Sequence, residues 1–200
     1  MYMYNILAVT NRKLCKNDLL EQIKKIIEFN LSKDSINNLL PNNSNIKIIL
    51  REKDLCEEEY EFLARKVLNI CNSFNIQCIL HTYYNVARKL NCRSIHLPLH
   101  ILKNNPDLCK DFSIIGVSIH SVDEAIEAQN LNASYITAGH IFNTDCKKGL
   151  PGRGLNFLKE VVKSVDIPVY AIGGINNDNI DSVIKAGAYG VCMMSGFMEF

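Results

Sequence analysis

Two hundred residues suit one domain, and a chain that is 48% hydrophobic and 22% charged supplies a sizeable core, which excludes a disordered polar chain. Twenty-two Lys and Arg oppose twenty-one Asp and Glu for a net charge of +1, so the positive field of a nucleic-acid binder is missing. No run approaches the ~18 continuous apolar residues of a membrane span, so neither a nucleic acid nor a membrane is the expected partner.

The N-terminus, MYMYNILAVTNRK, lacks the basic region and long apolar stretch of a secretory signal. Cysteines at 15, 56, 71, 78, 92, 109, 146 and 192 form no CxxC pair, which fits a reducing cytoplasm and thiols acting as small buried hydrophobes. Short apolar runs predict strands at Tyr4–Val9, Ile46–Leu50, Gln77–Leu80, Ser94–Leu97, Ile114–Ser118, Tyr135–Ala138, Val169–Ile172 and Gly190–Met194. Between them, apolar residues three and four apart predict helices at Asp18–Phe29, Glu57–Phe74, Tyr84–Leu90, Val122–Gln129, Leu155–Ser164 and Asn177–Ala186. The Asn-rich stretch Asn37–Asn45 reads as a loop, and no internal repeat stands out.

Strands separated by helices pair in parallel, because a parallel neighbour needs a crossover long enough to hold a helix. An open doubly wound sheet usually carries a nucleotide-binding glycine motif after its first strand, and here that position reads Thr10-Asn11-Arg12. The expectation is therefore a compact single-domain (β/α)8 TIM barrel over residues 1–200, its last helix short or missing because only Gly196–Phe200 follow the final strand.

Barrel enzymes draw their reacting groups from the C-terminal ends of strands. Those ends read Thr10-Asn11-Arg12, Arg51-Glu52-Lys53, His81-Thr82, His96, Ser118 with His120, Gly139-His140, Gly173-Gly174 and Ser195-Gly196. Four of the five histidines fall within two residues of an exit, and His100 lies slightly beyond one. Gly173-Gly174 and Ser195-Gly196 allow close backbone approach and offer N–H groups to a phosphate, the first pair ahead of a helix start at Asn177-Asp178; turn-making alone is the plainer reading of the glycines. The long loop Gly139–Gly154 holds His140, and histidine is the side chain most often used for proton transfer. Lys147, Lys148 and Arg153 make that loop cationic; a hydrogen-bonded loop histidine and a solvated loop are the competing readings.

The segments Ile115–Ala125, Tyr135–Gly149 and Ala171–Ile175, with Ile49-Leu-Arg-Glu-Lys53, resemble the thiamin phosphate synthase and TenI superfamily, a barrel family that handles thiazole phosphates. Synthase members carry an Asn-Asp pair after strand three and a His-Leu-Gly-Gln-x-Asp motif after strand four, whose aspartates hold the Mg²⁺ that binds pyrophosphate. Here those positions read His81-Thr82 and His96-Leu-Pro-Leu-His-Ile101, without the carboxylates. The loop Gly139-His140-Ile141-Phe142 with Asp145-Cys146-Lys147-Lys148 is similar to the TenI branch.

The resemblance thus implies a thiazole tautomerase that aromatises a thiazole carboxylate phosphate with His140 as acid/base, needing no metal and no cofactor. It implies substrate or phosphate contacts from Arg51, Lys53, Ser118, Thr144, Cys146, Lys147, Gly173, Gly174, Ser195 and Gly196. The alternatives are a thiamin phosphate synthase, which joins hydroxymethylpyrimidine pyrophosphate to thiazole phosphate, and a non-catalytic thiazole-phosphate-binding regulator. A metal protein built on His81, His96, His100, His120 and His140 lacks neighbouring carboxylates and cysteines. A homodimer would cover a core end left open by a truncated last helix.

Overall fold

The computed structural model describes residues 4–32, 44–147 and 149–199. Eight strands close in chain order: β1 (Tyr4–Val9), β2 (Ser44–Leu50), β3 (Cys78–His81), β4 (Ser94–Pro98), β5 (Ile114–Ile119), β6 (Tyr135–Gly139), β7 (Val169–Ile172) and β8 (Gly190–Met193). The expected parallel (β/α)8 barrel is the fold observed. Among the described residues the helices are α1 (Leu19–Ser32), α2 (Glu57–Ser73), α3 (Tyr84–Lys89), α4 (Leu99–Asn104), α5 (Leu108–Asp111), α6 (Val122–Asn130), α7 (Gly154–Ser164), α8 (Ile180–Lys185) and α9 (Ser195–Met198).

The described residues group into two compact halves, one running to Ile95 and resuming at Met193, the other His96–Cys192. In the first, β1 pairs with β2 in a register that sets Ile6 opposite Ile46 and Val9 opposite Ile49, and β2 pairs with β3. In the second, Gly116 lies opposite Tyr135, Ile136 opposite Val169 and Tyr170 opposite Gly190. Strands β3, β6 and β8 are buried at every position, as strands covered on both faces must be, which is why they read as continuous apolar runs.

Helix α2 shows how a sequence writes such a unit. Glu57, Glu58 and Glu59 sit in its first turn, where negative charge is favoured, and the Cys56 N–H donates to the Glu59 carboxylate at 3.0 Å. Its buried stripe is Tyr60, Ala64, Val67 and Cys71, spaced for one helical face. It stops at Asn75, whose φ of +55° is left-handed, while Ile76 N–H donates back to Cys71 O at 2.8 Å.

The same ending recurs. Asn91 after α3, Asn132 after α6 and Gly187 after α8 are all left-handed, and each next residue, Cys92, Ala133 or Ala188, donates to the carbonyl five residues back. In all four cases the following strand begins three residues beyond the left-handed position. This αβ connector is the internal repeat that the amino-acid types alone do not display.

The expected elements differ from the observed ones mainly at their ends. Ser44 and Asn45, read as loop, open β2, while residues 37–43 lie outside the described residues. Asn177–Asn179 is a turn rather than helix, because Asn179 Oδ1 accepts from Asn176 N–H and Asn176 Oδ1 from Asp178 N–H. Helices α4 and α5 escaped the periodicity reading because six and four residues are too few to display a helical period. The last helix is the short α9.

Candidate functional site

In the first half, the ends of β1 and β2 are joined by a buried carboxylate. Glu52, its side chain 1% exposed, accepts from the Thr10 hydroxyl at 2.7 Å, from Arg12 N–H at 3.1 Å on both oxygens and from Arg12 Nη1 at 3.1 Å. Arg12 also grips Asp54 with both terminal nitrogens, at 2.6 and 2.9 Å, and Lys13 reaches Asp54 at 2.8 Å. The Arg12 and Lys13 hydrogen bonds hold the Asp54 carboxyl well below the usual carboxylate range. Arg51 is half-buried and Lys53 exposed, and neither has a carboxylate partner among the described residues. Although Lys53 reaches the surface, the protein around it and the Arg51 charge push its ammonium below its ordinary pKa.

Tyr60 ties the next strand in. Its hydroxyl donates to Leu50 O at 2.7 Å and accepts from His81 N–H at 2.9 Å, and burial drives its pKa well above the ordinary value. His81 is buried, with Nδ1 2.7 Å from the Thr82 hydroxyl, at a residue of positive φ. Ser195 and Gly196 are exposed in the single turn of α9, and a Cβ on Gly196 would meet only Met193 Cε at 3.6 Å. Packing does not explain that glycine.

In the second half, His96 of β4 is buried between two hydroxyls. Its Nδ1 lies 3.0 Å from Tyr135 Oη and its Nε2 2.8 Å from Ser118 Oγ, to which Thr137 donates at 3.3 Å. Burial holds Tyr135 protonated, its pKa well above the ordinary value. Gly116 makes room for this group, since a Cβ there would overlap the Tyr135 phenol and come within 2.5 Å of His96 Nδ1. His100 is exposed on α4, and His120, also exposed, has Nδ1 3.1 Å from Gly139 O.

The loop after β6 continues the sheet before it departs. Ile141 N–H donates to Ile172 O at 2.9 Å and Phe142 N–H to Gly173 O at 3.0 Å, then the returning segment donates from Arg153 N–H to His140 O and from Gly154 N–H to Ile141 O. His140 is buried, with Nε2 3.2 Å from Leu150 O. A carbonyl only accepts, so Nε2 is the donor in this bond. Thr144 O accepts from Lys147 N–H across the turn Asp145–Lys147, which includes Cys146; Lys147 is exposed, and Lys148 lies outside the described residues.

Gly173 and Gly174 have positive φ, and their nearest neighbours explain both. A Cβ on Gly173 would overlap His140 Cβ and come within 2.8 Å of its Cα; one on Gly174 would lie 2.8 Å from Phe142 Cβ. Close approach to the loop therefore accounts for these glycines without a ligand.

A cavity of about 500 Å³ lies at the opposite ends of β3 and β4, lined by Arg65, Asn72, Lys89 and Arg93 among others. Lys89 closes α3 at its C-terminal turn, where cations offset the helix dipole, and both Lys89 and Arg65 pair with Glu61 at 2.6 Å. The cavity is thus far from any strand exit and its basic groups have structural partners.

A family model described as thiamine monophosphate synthase matches residues 6–197. The chain belongs to that family. It is 32% identical over 200 residues to the thiamine-phosphate synthase of Clostridium acetobutylicum, covering 98% of this chain and 88% of that protein. The thiamine-phosphate synthase of Clostridium botulinum is 31% identical over 201 residues, covering 98% and 91%. Among solved structures, the thiamine phosphate pyrophosphorylase of Pyrococcus furiosus superposes with a TM-score of 0.75 at 26% identity, covering 98% of this chain and 88% of that one. FabK of Thermotoga maritima, with a TM-score of 0.65 at 15% identity over 76% of this chain and 51% of that one, shares the fold alone.

These findings correct the expectation of a thiazole tautomerase. That reading rested on the missing carboxylates after β3 and β4 and on the loop Gly139–Gly149, whereas the likeness to synthases extends over nearly the whole chain. The described residues contain no group of three or more His, Cys, Asp or Glu placed to hold a metal ion. At the end of β3 the side chains are a histidine and threonine bonded to each other, and on β4 His96 is engaged by Ser118 and Tyr135. Neither set fits a hard, oxygen-ligated cation such as Mg²⁺. Sequence reasoning missed Glu52 and Tyr60. The signals were a lone acid between two basic residues at a strand exit, and a tyrosine on the buried stripe of α2.

Proposed function

We propose that this protein is a thiamine-phosphate synthase, which joins the methylene carbon of a hydroxymethylpyrimidine pyrophosphate to the nitrogen of a thiazole phosphate and releases pyrophosphate. The observation that carries this reading is the 31–32% identity to thiamine-phosphate synthases over 98% of the chain. The new C–N bond takes the place of the C–O bond to pyrophosphate, whose departing negative charge must be neutralised.

Arg51 and Lys53 are our candidates for that task, because they are cations without a carboxylate partner among the described residues, unlike Arg12 and Lys13. A guanidinium offers a planar fork to phosphate oxygens and an ammonium a point charge. Ser118, Thr144, Cys146, Lys147, Gly173, Gly174, Ser195 and Gly196 remain proposed substrate contacts. His140, hydrogen-bonded to Leu150 O, serves to close its loop. A thiazole phosphate as small-molecule partner and a cytoplasmic setting belong to the same proposal; among the described residues no helix is long and apolar enough to cross a membrane.

The test is to mix the purified chain with both substrates, with and without Mg²⁺, and to follow pyrophosphate and thiamine phosphate together. Equimolar appearance of the two is the expected result. A folded protein that forms neither overturns the proposal.

A further inference from the structure

We propose that Cys71 and Cys78 are a reversible dithiol pair, oxidised to a disulfide by a small anionic disulfide that enters through the cavity at the start of β3.

Three buried thiols gather where α2 runs into β3 and α3 into β4. Cys71 is the last residue of the buried stripe of α2, Cys78 opens β3, and Cys92 stands two residues ahead of β4. Cys92 gives its proton to main-chain carbonyls, Ser94 O at 3.4 Å and Cys78 O at 3.8 Å. The Cys78 thiol instead donates to the Cys71 sulfur. That bond holds Cys71 below the ordinary thiol pKa, while the same bond and burial keep Cys78 well above it. Nothing in the fold requires sulfur at position 71. The Cys71 carbonyl closes its connector by accepting from Ile76 N–H, and the residues that do the same in the other three connectors are Ala87, Ala128 and Val183. A small apolar side chain serves that joint.

Cys71 is fully buried, but Cys78 and Cys92, 7% and 9% exposed, line the cavity of about 500 Å³. Arg65, Lys89 and Arg93 line it too, and no acidic side chain does; Glu61, paired with the first two, leaves an excess of positive charge. Such a setting draws in an anionic reagent and favours a thiolate. The exchange balances from Cys71 as thiolate and Cys78 as thiol. Cys78 passes its proton to Cys71 and attacks one sulfur of the reagent, whose other half leaves and takes up that proton. Cys71, deprotonated again, attacks the Cys78 sulfur, and the second half leaves as a thiolate. The cysteines lose two electrons to the reagent, whose S–S bond breaks as theirs forms. The new bond would tie α2 to the start of β3, as the hydrogen bond from His81 N–H to Tyr60 ties them at the strand exit.

The test treats the reduced full chain, without denaturant, with anionic dithiodiglycolate or cationic cystamine, then unfolds, alkylates and digests it with trypsin. The peptide Val67–Arg88 holds both thiols. With dithiodiglycolate it is expected to lose two hydrogens, to escape alkylation and to recover both thiols on reduction. Once each reagent's rate with a free thiol is divided out, dithiodiglycolate is expected to act about tenfold faster than cystamine. Cys71→Ala, which gives the joint the residue found at 87 and 128, is expected to stop at a mixed disulfide on Cys78. A peptide that keeps both alkylatable thiols while the exposed Cys56 is fully oxidised overturns the pairing. A disulfide that forms only in urea, or equally fast with both reagents, overturns entry through the cavity. A folded Cys71→Ala that carries no reagent on Cys78 overturns the order of attack.

Discussion

At the ends of β1 and β2 the chain turns over a buried carboxylate, with Thr10, Arg12 and Asp54 gathered around Glu52, whereas at the ends of β6 and β7 it turns over Gly173 and Gly174. The first corner is held by charge and by directed hydrogen bonds between side chains. The second is held by backbone meeting backbone, with glycines on the strand side so that strand and loop can touch. A charged corner answers to pH, salt and single-atom changes, while a close-packed one answers to volume.

The largest effect should come from adding volume to the second corner. Gly173→Ala places a Cβ into His140 and forces an alanine to a φ of +102°, so a loss of roughly 3 kcal/mol in urea unfolding is expected. A loss below about 1 kcal/mol would show that the loop can move aside. Next is Arg12→Ala, which leaves a buried carboxylate with fewer partners. Since the Arg12 side chain is 32% exposed, the loss should fall short of that for a fully buried pair, near 2 kcal/mol. It should shrink in high salt, and a salt-independent loss would assign the effect to packing.

His140→Gln should cost about 1 kcal/mol for the bond to Leu150 O and should hasten tryptic cleavage after Lys147 and Arg153, because it loosens the loop without overfilling it. Equal cleavage rates would mean that the strand-to-loop hydrogen bonds alone close the segment. The smallest effect is a difference in pH response. Asp54 is more acidic in the folded protein than in the unfolded chain, so its stabilisation is complete above the ordinary carboxylate pKa of ~3.9 and is lost as pH falls through the folded value. Asp54→Asn should lower the unfolding midpoint slightly at neutral pH and converge with the wild type in acid, so that the acid limb flattens; an unchanged acid limb would separate Asp54 from that dependence.

How much of this was readable in the sequence follows from the kind of interaction. Strands such as Gly190–Met193 were legible because a strand buried on both faces has to be apolar throughout. The start of α8 was less so, since hydrogen bonds among Asn176, Asp178 and Asn179, which no periodicity encodes, decide where the helix begins. Gly173 and Gly174 stood out as residues needing explanation, yet a ligand cup and a close-packed turn call for the same amino acid. The Arg51-Glu52-Lys53 triplet was visible, but the inward burial of its central acid depends on Thr10 and Arg12, some forty residues away. The branch of the family was misjudged from a loop and from two strand exits without carboxylates, and loops are the part of a barrel whose composition varies most readily between relatives.

The left-handed Asn75, Asn91, Asn132 and Gly187 have a practical meaning beyond ending their helices. Because each delivers the following strand after an identical offset, these four joints are interchangeable cutting points, and a segment bounded by two of them could be swapped for the corresponding piece of a relative without shifting its phase. Chimeras cut there would let the chemistry at the other end of the strands be exchanged one module at a time.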